Sequence, residues 1–283
     1  MFNFLSLQFK IIVVATIINI LFKFYFYFYF LLISDLIMKK LLKINIVVLI
    51  FLSSTLVSQS SYQDSPYKLK RNLDTYLVGF SLSVNIIAKI KENQKAPLTK
   101  LEINNLNSEK IFKFDRKITN NWDTRSKTLS DILLYSSIFF PALLYSKDKI
   151  RSDSQNFTFI WLQAFGLNLG LTDLTKTIFG RKRPYLYGNK ATMKEKLKSD
   201  NQRSFFSGHT SVSAVSCFIM AQMFKDYYPN SKYSNYLWIL AGTVPALTGY
   251  MRVKAGKHFY TDVIVGYFVG ASIGILIPSL HKN

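Results

Sequence analysis

Three short clusters of basic residues and histidines follow one another in the second half of the chain, each at the edge of an apolar segment. They are Lys176-x6-Arg183-Pro184, Ser207-Gly208-His209, and Arg252-x5-His258-x3-Asp262. Arginine offers two parallel donors to the oxygens of a phosphoryl group, and lysine adds a compact positive charge. The clusters therefore predict a site for a phosphorylated ligand, although a basic run beside a membrane span is the alternative for the first of them.

The second cluster has the form of a helix start. Ser207 is a favoured N-cap residue, and Gly208 lets the backbone come close to a ligand. Exposed backbone N–H groups at a helix start bind anions. His209, placed there, could give a proton to a departing oxygen. The alternative is an ordinary capped helix with a structural histidine.

The third cluster combines a histidine with a carboxylate. His258 and Asp262 are four residues apart, so on a helix they would share a face. The carboxylate would then accept a hydrogen bond from one ring nitrogen and leave the other as a nucleophile. The alternative is a polar pair on a solvated face. The chain has three histidines, and two of them fall in these clusters, so the combination is more specific than any cluster alone.

Five apolar segments must position the clusters. They are 129–145, 157–179, 210–228, 236–250 and 262–280. Most have lengths that suit a bilayer span, so the predicted fold is all-α: a membrane-embedded helical bundle of about five to six core helices with the active site at one end. A soluble bundle with buried helices is the alternative. Gly266 and Gly270 form a small-xxx-small pair that permits close helix packing.

The first 128 residues differ in character. We expect residues 1–37 to lie upstream of the true start, because Met38 begins a basic, then apolar, then small-residue pattern that is typical of a secretory signal. Residues 38–60 are then a signal peptide or anchor, with two membrane anchors in a hairpin as the alternative for the whole stretch. Residues 61–128 are a polar helical region, with one interfacial, packing or spanning helix near 74–90. Residues 129–283 are the helical-bundle domain.

Charge limits the partners. Lys and Arg total 36 against 16 Asp and Glu, a formal charge of +20, which favours anionic partners. The sequence has no nucleic-acid motif, so we expect a membrane and a phosphorylated substrate as partners, and no nucleic acid. The single cysteine, Cys217, excludes an intramolecular disulfide and a cysteine metal site.

Taken in order, the three clusters resemble the signature of the type 2 phosphatidic acid phosphatase and vanadium haloperoxidase superfamily, in its bacterial membrane-associated branch. The resemblance covers about residues 129–280. Phe206 stands where a proline commonly precedes Ser-Gly-His, and Met251 stands where a serine commonly precedes the arginine. Neither departure removes a charge or a proton donor, so we expect activity to survive.

The resemblance implies a phosphatase that needs no metal or cofactor and that cleaves lipid phosphates or diphosphates through a phosphohistidine. His258 would attack phosphorus, Asp262 would orient it, and His209 would protonate the leaving oxygen. The phosphoryl oxygens would be bound by Lys176, Arg183, Ser207, Gly208 and Arg252. The alternatives are a vanadate-dependent haloperoxidase and a non-catalytic membrane protein that binds anionic lipid.

The expected location is the bacterial inner membrane or periplasm. If the signal is cleaved and the helix near 74–90 does not span, all three clusters lie on the periplasmic face. The loop Arg181–Arg203 argues the other way, because it holds eight Lys or Arg and two acids, and basic loops favour the cytoplasm. Some of that charge would serve the substrate, so we expect the periplasmic orientation.

Overall fold

Six long helices form the fold. The computed structural model describes residues 64–93 and 96–283, so the expectations for residues 1–37 and 38–60 lie outside the described residues. The helices are α1 (Arg71–Asn93), α2 (Thr124–Phe139), α3 (Ser154–Phe179), α4 (Gly208–Tyr227), α5 (Tyr233–Lys254) and α6 (Tyr260–Leu280). Short helices and 3-10 turns connect them, and the described residues contain no strand beyond one isolated bridge. The predicted all-α bundle is confirmed.

Local signals set where these helices begin and end. Asp123 caps α2 by accepting a hydrogen bond from the Arg125 N–H at 3.0 Å. Pro141 has no N–H to continue the helix, so the predicted segment 129–145 finishes as a 3-10 helix, Pro141–Ser146. α3 ends at Gly180, whose φ of 53° lies in the left-handed region that favours glycine.

Two boundaries differ from the apolar segments in ways that matter for the chemistry. α5 continues past Tyr250 to Lys254, so Arg252 lies inside a helix. α6 begins at Tyr260, so His258 precedes the helix instead of lying on it. Hydropathy alone missed both boundaries. Basic residues end the apolar run of α5 before the helix itself ends. The start of α6 depends on a carboxylate cap, which hydropathy does not detect.

Helix α4 lies at the centre of the bundle and packs against α2, α3, α5 and α6, while α1 packs against α3. The closest packing is between α4 and α6. A Cβ on Gly270 would lie 2.2 Å from the Ser211 carbonyl oxygen, and one on Gly266 would lie 2.7 Å from the Ser207 carbonyl oxygen. The predicted close approach at these two glycines is confirmed, and it fixes the start of α4 against the start of α6.

Three described helical segments have the length and apolar composition of membrane spans: Arg71–Glu92, Thr124–Ser146 and Tyr260–Leu280. α3, α4 and α5 are not among them. α4 is lined with buried serines, which suits a helix surrounded by protein. The helix predicted near 74–90 is α1, which has a packed face on α3 and is also long enough to cross a bilayer.

The end of the bundle at the C-terminus of α6 is held by contacts between distant parts of the chain. The Lys68 N–H donates to the His281 carbonyl at 2.8 Å, and the Asn283 N–H donates to the Pro66 carbonyl at 3.2 Å. His281 is buried, and its Nε2 lies 2.7 Å from the Asp74 carboxylate. The one histidine outside the three clusters therefore has a structural role, about 30 Å along α6 from the start of that helix.

The three clusters lie together at the opposite end of the bundle, near the start of α6. The last turns of α3 and α5 and the first turns of α2, α4 and α6 meet there, because neighbouring helices run in opposite directions.

Candidate active site

His258 lies in the turn between α5 and α6 and is 1% exposed. The turn depends on Gly256, whose φ is +68° and whose Cβ position would lie 1.9 Å from the Asn121 carbonyl oxygen. The Nδ1 of His258 lies 2.7 Å from the Ser204 carbonyl oxygen. A carbonyl accepts only, so Nδ1 carries the hydrogen and Nε2 keeps its lone pair. The ring is therefore fixed in the tautomer of a nucleophile.

The expected hydrogen bond from His258 to Asp262 is corrected by the structure. The Asp262 Oδ2 lies 3.7 Å from His258 Nδ1, within ion-pair range but beyond a hydrogen bond. That oxygen instead accepts from the Ser204 hydroxyl at 2.5 Å and from the Phe259 N–H at 2.8 Å. The rule for residues four apart fails here because His258 precedes the helix that Asp262 caps. Asp262 therefore orients His258 through Ser204 and acts on it directly only through its charge.

Arg183 faces the unprotonated nitrogen. It is 4% exposed, and its Nη1 lies 3.3 Å from His258 Nε2 and 2.8 Å from the Lys257 carbonyl oxygen. Its Nε and Nη2 donate to Asp200. The guanidinium is thus anchored on one side and presents its other edge to the position where a phosphorus atom would meet Nε2.

Arg252 and His209 meet at a residue that the sequence reading missed. Asp131, in α2, accepts from His209 Nε2 at 2.8 Å and from Arg252 Nη1 at 3.4 Å. Arg252 is 5% exposed, and its Nε is buried with no hydrogen-bond partner among the described residues. A buried donor without a partner is costly, and an anion bound beside it would satisfy it.

Lys176 and the Ser207-Gly208 pair complete the ring of donors. A Cβ on Gly208 would lie 2.8 Å from Lys176 Nζ, so glycine is what lets the ammonium reach the start of α4. The Ser207 hydroxyl caps α4 by accepting from the Thr210 N–H at 3.4 Å and the Thr210 hydroxyl at 2.9 Å. Its own hydrogen makes no contact within the described part of the chain and can turn toward a ligand.

All eight residues predicted from the clusters thus lie at one end of the bundle. Three cations surround a histidine nitrogen that carries a lone pair, and a second histidine lies next to a carboxylate. Residues 157–283 match the model of the PAP2 superfamily. These residues, just under half of the chain, are therefore similar to the PAP2 superfamily. The match includes every predicted site residue but begins after Asp131.

The curated relatives of the chain are distant. The chain is 29% identical over 125 residues to phosphatidylglycerophosphatase B of Bacillus subtilis, covering 44% of this chain and 58% of that protein. It is 28% identical over 150 residues to a PA-phosphatase related-family protein of Dictyostelium discoideum, covering 49% of this chain and 54% of that protein. The chain therefore spans somewhat more than half the length of the curated relatives it matches.

Two solved structures are also similar. One is a transmembrane PAP2-type phosphatidylglycerolphosphate phosphatase from Bacillus subtilis, with 18% identity and a TM-score of 0.42, covering 84% of this chain and 94% of that chain. The other is Aquifex aeolicus LpxE, with 24% identity and a TM-score of 0.40, covering 57% of this chain and 90% of that chain.

A second layer of contacts supports the candidate site, and sequence reasoning missed it. Arg181 bridges two buried carboxylates, Asp115 and Asp262, and its guanidinium lies 4.2 Å from the centre of the Phe259 ring. Asp115 also accepts from the Thr261 N–H at 3.1 Å. Asp115 lies in a polar stretch far from the clusters, and no spacing rule connects it to them. The segment that carries it thereby holds the first turn of α6 in place.

The electrostatic environment lowers the pKa of the two histidines at the site, His209 and His258. Burial, together with Arg183, Arg252 and Lys176, holds the pKa of His258 well below its usual range. Burial and Arg252 lower the pKa of His209 to about 4, although Asp131 acts in the opposite direction. His258 is therefore unprotonated and ready to attack, while His209 needs an added negative charge nearby to hold a proton.

The donors at the site suit an oxyanion better than a metal ion. Across residues 64–93 and 96–283, no group of three or more His, Cys, Asp or Glu side chains is arranged to hold a metal. Lys176, Arg183 and Arg252 are cations of the kind that can neutralise a phosphoryl group.

Proposed function

We propose that the protein is a membrane-embedded, metal-independent phosphatase that hydrolyses phosphate esters or diphosphates of lipids through a phosphohistidine on His258. One observation carries the proposal: His258 Nδ1 donates to the Ser204 carbonyl, so Nε2 holds a lone pair, and that nitrogen faces Arg183. Binding an anion alone requires no such fixed, buried, unprotonated histidine. The family match and the names of the relatives support the same reaction.

The first chemical step forms the bond between nitrogen and phosphorus. The Nε2 lone pair of His258 attacks phosphorus while the bond from phosphorus to the ester oxygen breaks. Arg183, Arg252 and Lys176 bind the peripheral oxygens, where negative charge must be stabilised in the transition state. The imidazole becomes positively charged, and the Asp262 carboxylate 3.7 Å away stabilises that charge.

His209 serves the leaving group. Its Nε2 is engaged by Asp131, so its other ring nitrogen, Nδ1, carries the transferable proton. The bound phosphoryl group and Asp131 supply the negative charge that favours the protonated form. After the proton passes to the leaving oxygen, the same nitrogen accepts a proton from water. The water attacks the phosphohistidine, inorganic phosphate leaves, and His258 regains its lone pair.

Lipid is the proposed substrate class because the bundle carries three candidate membrane spans. α2 and α6, which hold Asp131 and Asp262, are two of them, so the site lies at the end of membrane-type helices.

We further propose that this end faces the periplasm. A reporter fused after Leu280, at the other end of the bundle, should then read as cytoplasmic, and a periplasmic reading would reverse the orientation.

The test of the reaction is phosphate release by the full chain in mild detergent. We expect release from phosphatidate or an isoprenyl diphosphate in the presence of EDTA, with loss of all release above background in His258→Ala. Quenched reactions with ³²P-labelled substrate should trap an acid-labile label on the wild-type protein.

His281→Ala is the matched control, because it removes a buried histidine at the other end of the bundle. Compared per folded molecule, it should keep its activity and its label. Release that persists in His258→Ala, or that requires an added divalent metal, would overturn the proposal. Halide oxidation on adding vanadate would instead indicate a haloperoxidase, and binding of anionic lipid without turnover would indicate a non-catalytic protein.

A further inference from the structure

Two exposed phenylalanines lie on the segment 110–117, which is part of the connection between α1 and α2. Phe112 is 66% exposed and Phe114 is 47% exposed. Their rings are neighbours, with centres 6.5 Å apart. The Phe114 ring lies 5.0 Å from the ring of Tyr260, the first residue of α6. The two phenylalanines are therefore on the outside of the protein at the level where α6 begins.

Helix α6 carries an apolar stripe that leads up to this pair. Tyr260, Ile264 and Phe268 follow one another at intervals of four residues, so they lie on one face of the helix. Ile264 and Phe268 are exposed on that face. Because α6 is a candidate membrane span, lipid would cover the stripe, and Tyr260 would lie where the span meets water. Aromatic rings are common at that boundary. Phe114 extends the stripe past the start of the helix.

The segment is fixed at this level by the acid within it. Asp115 is buried, and it accepts from the Thr261 N–H at 3.1 Å and from Arg181 Nη2 at 2.8 Å. Arg181 also binds Asp262, which accepts from the N–H of Phe259 before the first turn of α6. The backbone next to the two phenylalanines is thus tied to the start of a membrane-type helix, so the rings stay at the height of that start.

Lysines surround the exposed rings. Lys110, Lys113 and Lys117 are exposed, and their ammonium groups make no ion pair or hydrogen bond with any of the described residues. Glu109 is an exposed acid beside them, but the lysines outnumber it. Apolar rings among unpaired lysines suit a bilayer surface, where the rings enter the boundary of the acyl chains and the ammonium groups meet anionic headgroups.

We propose that segment 110–117 docks on an anionic bilayer surface at the catalytic end of the bundle. Phe112 and Phe114 enter the boundary between headgroups and acyl chains, and Lys110 and Lys113 bind the headgroups. The surface belongs to the same bilayer that α6 spans. The inference concerns how this end of the protein meets the membrane, so its test needs no turnover of substrate.

The first measurement is the depth of a spin label at position 112. Cys217 is the one cysteine of the chain and is buried, so a label added to Phe112→Cys is selective. The full chain is reconstituted in vesicles of phosphatidylcholine with an equal amount of phosphatidylglycerol. Collisions with oxygen and with a water-soluble nickel chelate report the depth. We expect the label about 5 to 10 Å inside the boundary between headgroups and acyl chains, the depth of other interfacial apolar faces.

Leu101→Cys is the matched control for depth. Leu101 is as exposed as Phe112 and lies in the short helix Lys100–Asn104 of the same connection, outside the aromatic cluster. Its label should lie in water, where it collides mainly with the nickel chelate.

Lys110→Gln/Lys113→Gln tests the charge. A fluorophore on Phe112→Cys is quenched by brominated phosphatidylglycerol or by brominated phosphatidylcholine, and the ratio of quenching gives the preference for the anionic lipid. The double substitution should lower that preference by about fivefold or more, the contribution of one lysine near an anionic surface. Lys147→Gln/Lys149→Gln is the matched control, because it removes the same charge from the connection between α2 and α3, at the other end of the bundle. It should leave the preference unchanged.

Several results would overturn the proposal. A label at Phe112 that lies in water would do so, and so would a label at Leu101 that lies equally deep, because depth would then not depend on this segment. A label at Phe112 that is shielded from both oxygen and the chelate would indicate that protein covers the rings instead of lipid. A preference for phosphatidylglycerol that survives Lys110→Gln/Lys113→Gln would refute the contact between these lysines and the headgroups.

Discussion

Asp262→Asn tests whether the carboxylate acts on His258 by charge. The amide has nearly the shape of the carboxylate, and the Ser204 carbonyl, which fixes the tautomer of His258, remains in place. Asp262 has no direct hydrogen bond to the ring that the substitution could break. The substitution removes one negative charge, 3.7 Å from Nδ1, and it replaces one accepting oxygen by an NH2 group, which is tolerated best on the side of Arg181.

The size of the effect follows from that distance. When Nε2 attacks phosphorus, the ring becomes positive, and opposite charges about 4 Å apart attract by about 4 kcal/mol at an effective dielectric constant of about 20. That energy corresponds to roughly 10³ in rate. Arg181 contacts the same carboxylate and offsets part of the charge. We therefore expect the rate of phosphoenzyme formation to fall by about 10² to 10³.

The assay is single-turnover formation of labelled phosphoenzyme, measured by rapid quench. Asp115→Asn is the matched control, because Asp115 is equally buried and binds the same Arg181, but it does not reach His258. It should slow the reaction by less than about tenfold, as expected for a supporting residue that touches no reacting atom.

Either of two results would contradict the reasoning. Equal losses in both variants would mean that Asp262 matters only as an anchor for Arg181. An Asp262→Asn protein that forms phosphoenzyme at the wild-type rate, with an unchanged melting temperature, would mean that its charge does not stabilise the ring.

Two further predictions concern packing and pH. Gly208→Ala places a Cβ 2.8 Å from Lys176 Nζ, so the flexible ammonium must move; we expect kcat to fall about 10-fold to 100-fold with little change in melting temperature. Gly242→Ala, whose Cβ would meet only the Tyr267 hydroxyl at 3.7 Å, should keep wild-type activity in the same assay. The pKa of His258 is lower in the folded protein than in the unfolded chain, so below about pH 6.5 the unfolded chain binds a proton that the folded protein does not. Protonation therefore favours unfolding. The contribution of the neutral His258 to the free energy of unfolding is present above that pH and is lost as the pH falls. For the same reason kcat/KM, corrected for ionisation of the substrate phosphate, should fall less than about twofold between pH 7 and 5.5; a drop of about tenfold would show that His258 titrates normally.

The sequence predicted which residues lie together at this site better than it predicted the contacts between them. The cluster residues could be assigned to one end of the bundle because no long helix separates the first cluster from the second, and two helices, an even number, separate the second from the third. The contact between His258 and Asp262 was assigned incorrectly, because the rule for residues four apart presumes a helix that in fact begins only at Tyr260. Where α6 starts depends on the cap that Asp262 gives to the Phe259 N–H, and hydropathy carries no signal for that cap.

Other residues escaped prediction for a different reason. Asp131 lies within a segment that reads as a membrane helix, and its partners His209 and Arg252 are 78 and 121 residues away. Ser204 contributes mainly a backbone carbonyl, which every residue has. Asp115 and Asp200 lie on connecting segments whose paths no periodicity describes. Contacts between residues so far apart in the chain depend on how α2, α4 and α5 pack. The pattern of residue types in a single sequence carries no information about that packing.

The hydrogen bonds that join residues 66 and 68 to residues 281 and 283 can form only late in synthesis, after the helices between them have been made. The Asn283 N–H and the Pro66 carbonyl are separated by nearly the whole described chain, so their hydrogen bond cannot form until residue 283 has been made. The partner of Asp74, His281, also emerges only then. Until then the Asp74 carboxylate of helix α1 lacks its histidine partner and accepts a hydrogen bond from Gln163 of α3. A chain truncated before residue 281 would lack these contacts at one end of the bundle and keep the residues of the candidate site at the other.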